Sequence, residues 1–434
     1  MTLLKPNQLL HTETSRTPCR VSKLLGGGGQ GEVYLADLKG KDIALKWYFK
    51  GAATKEQRFI LEDLIARGSP NNRFLWPIEI VSDPKTSGFG YIMGLREKRY
   101  RGLVDLMFRR IEPSFSSLAT AGYQLADSYY KLHSGGLCYR DISFGNVFFD
   151  PMTGDVRICD NDNVGVNRKP GGGVLGTPRF MAPEIVCGKA FPSRDSDLYS
   201  LAVLLFFMLM VAHPLEGQCE SSIKAMDLPA MNMIYGSNPL FIFDPANKTN
   251  RPDPKVHGNA IAYWPIYPEF LRDLFTHSFT TGLSDPKYGR VKETQWRAAM
   301  IRLRDSIVLC KACGMENFFD DDDADGSCWS CKSSLQNPFR LQIGQKSLVV
   351  LNHDTKLFPH HLDGKQSYDF TSVSAEVSLH PKNPDIWGLK NMTKQKWVAT
   401  SAEGSMLDVE PGRRVRLAAG TKINFKTVEG EIHH

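Results

Sequence analysis

From Leu198 to Ala212 the chain is apolar almost without a break, interrupted only by Tyr199 and Ser200. This run is shorter than the ~20 residues that cross a bilayer. A helix that is apolar on every side must be packed on every side, so it predicts the centre of a sizeable lobe. The chain has the length for this: 434 residues predict two or three domains. Its 42% hydrophobic and 23% charged content is that of an ordinary globular protein. A net charge of +6 admits anionic ligands without requiring nucleic acid, and no nucleic-acid or membrane partner is expected. At the N-terminus, Met1-Thr2-Leu3-Leu4-Lys5-Pro6 breaks off before any secretory apolar stretch. Five of the nine cysteines are scattered and four are paired late in the chain, which suits a reducing cytoplasm and one metal site better than a disulfide framework.

Upstream of the apolar run lies Tyr139-Arg140-Asp141-Ile142-Ser143-Phe144-Gly145-Asn146, then the β-leaning Val147-Phe148-Phe149 and, further on, Asp160. Two carboxylates and an amide in this order suit a site that needs hard oxygen ligands for magnesium and one base. Near the N-terminus, Gly26, Gly28 and Gly31 fit G-x-G-x-x-G. Glycines there let backbone N–H groups approach phosphates with no Cβ in the way. A simple mobile turn fits the same glycines. The flanks read as strands on both sides, against a strand-then-helix dinucleotide site.

With Gly176-Thr177-Pro178-Arg179-Phe180-Met181-Ala182-Pro183-Glu184 added, the landmarks resemble, in order, the eukaryotic-like (Hanks-type) Ser/Thr protein kinases. The resemblance covers roughly residues 18–304 and implies a bilobal kinase fold, with an N-lobe over 18–94 and a C-lobe over 95–304. Residues 1–17 read as a flexible lead-in. It implies that Asp141 is the base, that Asn146 and Asp160 hold Mg²⁺ or Mn²⁺, and that Thr177 helps seat the substrate hydroxyl. It places Lys46, in Asp42-Ile43-Ala44-Leu45-Lys46, on the α/β-phosphates of ATP, with Val33, Ala44 and Met93 around the adenine. The partner of Lys46 is expected on the following helix, at Glu62 or, failing that, Glu56. Glu184 is expected to pair with Arg290, and Asp197 to cap the catalytic loop. The helical spacing of Leu118, Ala121, Leu125, Tyr129 and Leu132 marks core, not site. Residues 218–265, rich in Pro, Asn and Met, read as an insertion.

Three positions depart from the family pattern. Tyr139 replaces a histidine, and Asn161-Asp162 replaces Phe-Gly. Ser143 stands where a lysine usually steadies the γ-phosphate, a charge that Arg168 or Lys169 could supply instead. Between Asp160 and Gly176 there is no Ser, Thr or Tyr to carry an activating phosphate, leaving Arg140 without that partner. Asp162 is the carboxylate nearest in sequence that could replace it.

Cys310-Lys311-Ala312-Cys313 and Cys328-Trp329-Ser330-Cys331 have the C-x₂-C…C-x₂-C spacing of a closed structural Zn²⁺ site, a zinc ribbon over 305–335. Zinc there replaces a core that so short a segment cannot build, contributing on the order of 10 kcal/mol. Asp320 to Asp323 read as a solvated loop tip. From 336 to 434 the chain turns to short strands: Leu341–Ile343, Leu348–Leu351, Val373–Leu379, Trp397–Ala399, Arg414–Leu417 and Lys422–Phe425. The order Gly388-Leu389-Lys390-Asn391, Trp397, Glu410-Pro411-Gly412, Ala419-Gly420-Thr421 resembles a forkhead-associated (FHA) domain. His360-His361-Leu362 stands where the family's phosphate-reading Gly-Arg would be, so docking to protein is expected there rather than phosphothreonine recognition.

The expected fold class is therefore multidomain α+β: a bilobal kinase, a small zinc ribbon and a C-terminal all-β FHA-like sandwich. This architecture resembles bacterial kinases associated with von Willebrand A proteins and a PP2C-type phosphatase in tellurium-resistance systems, which implies a protein substrate of that kind. The function expected is ATP-dependent Ser/Thr phosphorylation. A nucleotide-binding pseudokinase scaffold is the alternative, with Ser143 and Asn161-Asp162 as its symptoms. Small-molecule phosphorylation is disfavoured by the Ala182-Pro183-Glu184 block.

Overall fold

A computed structural model describes residues 2–167, 176–320, 326–345, 347–366, 368–380 and 383–434. The chain forms two compact units: Met1–Trp264 with Arg272–Ala298, and Pro265–Leu271 with Ala299–His434.

The first unit opens with a closed antiparallel barrel. Its strands are β1 (Leu9–Thr12), β2 (Pro18–Gly27), β3 (Gly31–Leu38), β4 (Lys41–Tyr48), β5 (Glu79–Asp83) and β6 (Thr86–Met93), ordered β1-β2-β3-β4-β6-β5. Alternation turns Cys19, Val21, Tyr34, Ala36, Leu45 and Trp47 inward around one core. The expected lead-in is corrected here. Strand β1 pairs with both β2 and β5, and Leu4 and Leu10 are buried in that core. Short segments without periodicity hid a strand whose partners lie far along the chain. Helix α1 (Lys55–Arg67) follows β4, started by the Thr54 side chain accepting from the Gln57 N–H and ended at Gly68.

The helical part begins with β7 (Arg101–Gly102), α2 (Leu103–Met107) and α3 (Phe115–Ser134), which the Ser114 side chain caps. Then come β8 (Leu137–Cys138), β9 (Val147–Phe149), β10 (Val156–Ile158) and β11 (Gly165–Val166) in small sheets that carry the chemistry-bearing loops. After α4 (Pro183–Val186) comes α5 (Arg194–Met210), opened by a Ser193/Ser196 capping box. Every residue of α5 from Ser196 to Met210 is buried, as its all-round apolar sequence requires. Short helices α6 (Gln218–Ser221), α7 (Leu228–Asn232) and α8 (Gly258–Tyr263) occupy the stretch read as an insertion, followed by α9 (Glu269–Ser278), α10 (Thr281–Ser284) and α11 (Glu293–Asp305). Among the described residues no helix is long and apolar enough to cross a membrane.

In the second unit, β12 (Ile307–Leu309) and β13 (Glu316–Phe318) form a hairpin around the first cysteine pair. The remaining strands are β14 (Arg340–Ile343), β15 (Ser347–Val350), β16 (Lys356–Leu357), β17 (Ala375–His380), β18 (Asn383–Asn391), β19 (Trp397–Thr400), β20 (Met406–Val409), β21 (Arg414–Arg416), β22 (Lys422–Asn424) and β23 (Glu429–His433), with helix α12 (Pro359–Leu362) between β16 and β17. They build two sheets, β15-β14-β23-β22-β19-β20 and β16-β17-β18-β21. Leu341, Leu389, Trp397, Ile423, Phe425 and Ile432 are among the residues of their common core. Asn352 ties hairpin to sandwich: its side chain accepts from the Leu309 N–H at 2.9 Å and donates to the Ile307 carbonyl at 2.7 Å.

Candidate active site

Lys46, on β4, is buried, and its ammonium lies 2.9 Å from both carboxylate oxygens of Asp162 and 3.5 Å from Asp160. Asp162 is fully buried. It also accepts from the Tyr48 hydroxyl at 2.5 Å and the Tyr91 hydroxyl at 3.0 Å. Burial disfavours charge on both partners. Their mutual attraction outweighs it, holding the Lys46 ammonium above and, with the two hydroxyls, the Asp162 carboxyl below their ordinary ranges. Helix α1 reaches this cluster through Gln57, whose side-chain amide donates to the Tyr48 hydroxyl at 3.1 Å and the Asp162 carbonyl at 3.2 Å.

This arrangement corrects the assignment of Glu62. That carboxylate pairs with Arg58 one turn away and is half exposed, while Glu56 is exposed at the start of α1. The α1 residues turned inward are Leu61 and Leu64. Asp162 was not read as the partner of Lys46 because the family pattern puts a glycine there. Nor is its carboxylate available to Arg140, the use suggested by the sequence. Arg140 instead lies over Gly165, where a Cβ would come within 2.2 Å of the guanidinium.

The loop between β8 and β9 gathers the second group of polar residues. Asp141 accepts from the Thr177 hydroxyl at 3.0 Å and from the Asn146 amide at 3.0 Å, and that amide also donates to the Asp141 carbonyl at 2.9 Å. Burial raises the Asp141 carboxyl above its usual range, opposed by these hydrogen bonds. Because the Asn146 NH₂ faces Asp141, its amide oxygen is the atom suited to a hard cation. Asp160 has φ 49°, ψ 45°, a left-handed conformation costly for a non-glycine residue. Its side chain is 41% exposed, so the strained residue turns a carboxylate outward beside Lys46. Thus Lys46, Asp160 and Asp162 form one group, and Asp141, Asn146 and Thr177 another.

The loop is held from beneath. Asp197 of α5 accepts from the Tyr139 N–H at 2.5 Å and the Arg140 N–H at 3.0 Å. It also meets His133 Nε2 at 3.0 Å, while His133 Nδ1 meets Glu293 at 2.5 Å. The Tyr139 hydroxyl, at the histidine position, donates to the Cys159 carbonyl. Glu184 pairs with Arg290 at 2.8 Å. His133 and Glu293 escaped sequence reading, since neither lies in a recognisable motif.

Val33, Ala44 and Met93 pack in one apolar cluster with Leu75 and Leu95, and β4 and β6 set Ala44 opposite Met93. A Cβ at Gly31 would lie 2.2 Å from the Trp47 carbonyl oxygen, so β3 and β4 need glycine there. A Cβ at Gly26 or Gly28 would meet no protein atom within 4 Å, so packing does not call for glycine at either. Ser143 is buried, and Arg168 and Lys169, with the glycines Gly171 to Gly173, lie outside the described residues. Beside Thr177 a cavity of about 420 Å³ is lined by Arg179, Glu216, Glu220, Met231 and Tyr235, among others.

In the second unit the four cysteine sulfurs lie within 4.8 Å of one another, with Cys310–Cys331 at 3.6 Å and Cys313–Cys328 at 3.7 Å. Asp321 to Asp323 of the acidic tip lie outside the described residues. Where a phosphate-reading Gly-Arg was considered, His361 Nδ1 accepts from the Phe358 N–H at 2.9 Å and Nε2 meets Asp305 at 3.2 Å. Asn391 is buried and spends its amide on the carbonyls of Gln395 and Val409.

The family model described as protein kinase domain matches residues 19–256, more than half of the chain. The DNA damage-responsive serine/threonine-protein kinase RqkA of Deinococcus radiodurans is 28% identical over 221 residues, 46% of this chain and 31% of that protein. The serine/threonine-protein kinase PknD of Chlamydia felis is 25% identical over 326 residues, 67% of this chain and 34% of that protein. Protein kinase C delta type of Rattus norvegicus is 29% identical over 213 residues, 46% of this chain and 30% of that protein. The matches thus span about a third of each of these relatives.

Proposed function

The chain belongs to the protein kinase family, and on that premise we propose that it is an ATP-dependent serine/threonine kinase acting on a protein recruited by its C-terminal modules. The observation that carries this reading is the convergence of Asp141, Asn146 and Thr177 through three hydrogen bonds of 2.9–3.0 Å. Asp141 accepts the proton of the incoming Ser or Thr hydroxyl, and Thr177 and Asn146 fix its orientation. Lys46 and the backbone of the Gly26–Gly31 loop hold the phosphates of ATP, and Val33, Ala44 and Met93 enclose the adenine. Asn146 and Asp160 suit Mg²⁺ or Mn²⁺, each offering a hard oxygen donor. Bound Mg·ATP supplies the phosphoryl group and neutralises charge as it transfers. The cavity beside Thr177 supports a polypeptide substrate, since it adjoins the residue that seats the hydroxyl.

The cysteine cluster is proposed as a structural zinc ribbon. The edge of a tetrahedron with Zn–S bonds of about 2.3 Å is about 3.8 Å, close to the two sulfur separations observed. The sandwich is proposed as an FHA-like docking module that does not read phosphothreonine: His361 and Asn391 are engaged within the protein. The order of modules supports a cytoplasmic kinase with a von Willebrand A protein as substrate and a PP2C-type phosphatase as counterpart.

The test is transfer of labelled phosphate from Mg·ATP with candidate partners present. Asp141→Asn should lower turnover ~10²–10⁴-fold, and Asp160→Asn should weaken Mg·ATP binding as well. Unimpaired turnover by Asp141→Asn refutes the assignment. Wild-type protein that binds ATP but phosphorylates nothing would instead be the scaffold.

A further inference from the structure

Lys46 takes its counter-charge from a place the family pattern does not use. The 3₁₀ turn Asn161–Asn163 carries Asp162 just beyond Asp160. Asn161 pins that turn by donating to the carbonyls of Leu75 at 2.8 Å and Ile158 at 3.0 Å. Tyr48 and Tyr91, on β4 and β6, hold the Asp162 carboxylate from the other side. Helix α1 offers only the uncharged Gln57.

We propose that Asp162 is the positioning residue of this site: its carboxylate, not an acid on α1, sets the Lys46 ammonium for the nucleotide phosphates. This rests on the kinase reading and adds a regulatory consequence to it. The proposed metal ligand Asp160 and the anchor of the lysine lie on one short turn, so they are in place together or displaced together. Moving α1 removes two neutral hydrogen bonds and leaves the ion pair intact. Moving the turn removes both charges from Lys46. Control of activity therefore acts on the Asn161–Asn163 turn and not on the position of α1.

The experiment moves the charge. Asp162→Asn keeps the shape of the side chain but removes its charge and replaces one of its two accepting oxygens with a donating NH₂. Gln57→Glu/Asp162→Asn returns a carboxylate from α1, at a position already bonded to the Tyr48 hydroxyl. Two readouts are taken: kcat for phosphoryl transfer, and the ¹⁵N signal of the Lys46 ammonium, assigned by its loss in Lys46→Met. A buried, ion-paired ammonium is protected from exchange and visible. The expected result is a fall in kcat of up to about 10²-fold in Asp162→Asn with loss of the Lys46 signal, and recovery of both in the double variant. A Lys46 signal that persists in Asp162→Asn overturns the proposal, whatever happens to kcat. So does a double variant that recovers neither readout. If Asp162→Asn does not fold, the double variant is judged against wild type by the same signal. If the wild type transfers no phosphate, the kinase reading fails while the ¹⁵N signal still decides what holds Lys46.

Discussion

Gly31 and Gly26 belong to one loop and answer to different constraints. Gly31→Ala would drive a Cβ against the Trp47 backbone, and a clash with main chain is relieved only by shifting a strand, at a cost of ~1–3 kcal/mol. It should lower the thermal midpoint clearly. Gly26→Ala and Gly28→Ala have open space and should change stability by no more than about 0.5 kcal/mol while raising KM for ATP. Thermal denaturation beside steady-state kinetics separates the two classes, and equal destabilisation by all three would contradict the assignment. The sequence singled out residues of fixed type at fixed spacing, and the structure gathers them: Lys46 beside Asp160, and Asp141 with Asn146 and Thr177. The sequence failed on the partner of Lys46. Many acids lie within reach of a lysine in sequence, and burial selects one; here it selected Asp162, 116 residues away, at a position patterned for glycine.

Helices α3, α5 and α11 meet at His133, which lies between Asp197 and Glu293 with almost no exposed side chain. Burial alone would push the imidazole down, but the hydrogen bonds to both carboxylates raise it above its usual 6.5. Glu293 is drawn down to about 2, as bonds from His133 and Arg194 overcome burial. A group whose pKa is raised on folding stabilises fully below its unfolded pKa, and that contribution is lost as pH rises through the folded one. The Glu293 contribution is present above about pH 4.5 and lost as pH falls towards 2. Both act together between roughly pH 4.5 and 6.5. His133→Asn should therefore lower the thermal midpoint more at pH 6 than at pH 9; an equal loss at both pH values would show that His133 is not charged in the fold. At this scale the apolar string foretold α5, because full burial leaves a signature in every residue. Strands β18, β20 and β23 were not foreseen. Pro384 and Gly388 punctuate β18, three of the four β20 residues are exposed, and Gly430 interrupts β23. These strands owe their conformation to ladder partners elsewhere in the sheet.

For the whole molecule, two outcomes follow from the modular reading. Freshly purified, reduced protein should contain one zinc per chain by elemental analysis, and Cys310→Ser or Cys328→Ser should abolish it and unfold the hairpin while Mg·ATP binding to the first unit persists. Calorimetry should find no preference of the sandwich for phosphothreonine peptides over their unphosphorylated forms; tight phosphate-dependent binding would make it a phospho-reader. The turn from a kinase domain to an all-β C-terminal region was legible because it changes the texture of the sequence. The role of residues 1–17 was not, since a four-residue strand announces itself only when its neighbours are in place. That strand also dictates a timetable. His11 pairs with Ser82 and Thr12 with Val81, so the barrel cannot close until about 70 further residues have been made. At ~5–20 residues per second, β1 leaves the ribosome about 4–14 s before its second partner. Late in that interval the core around Leu4 and Leu10 has its residues up to Trp47 but lacks Val81 and Ile92, the last side chains to close over it.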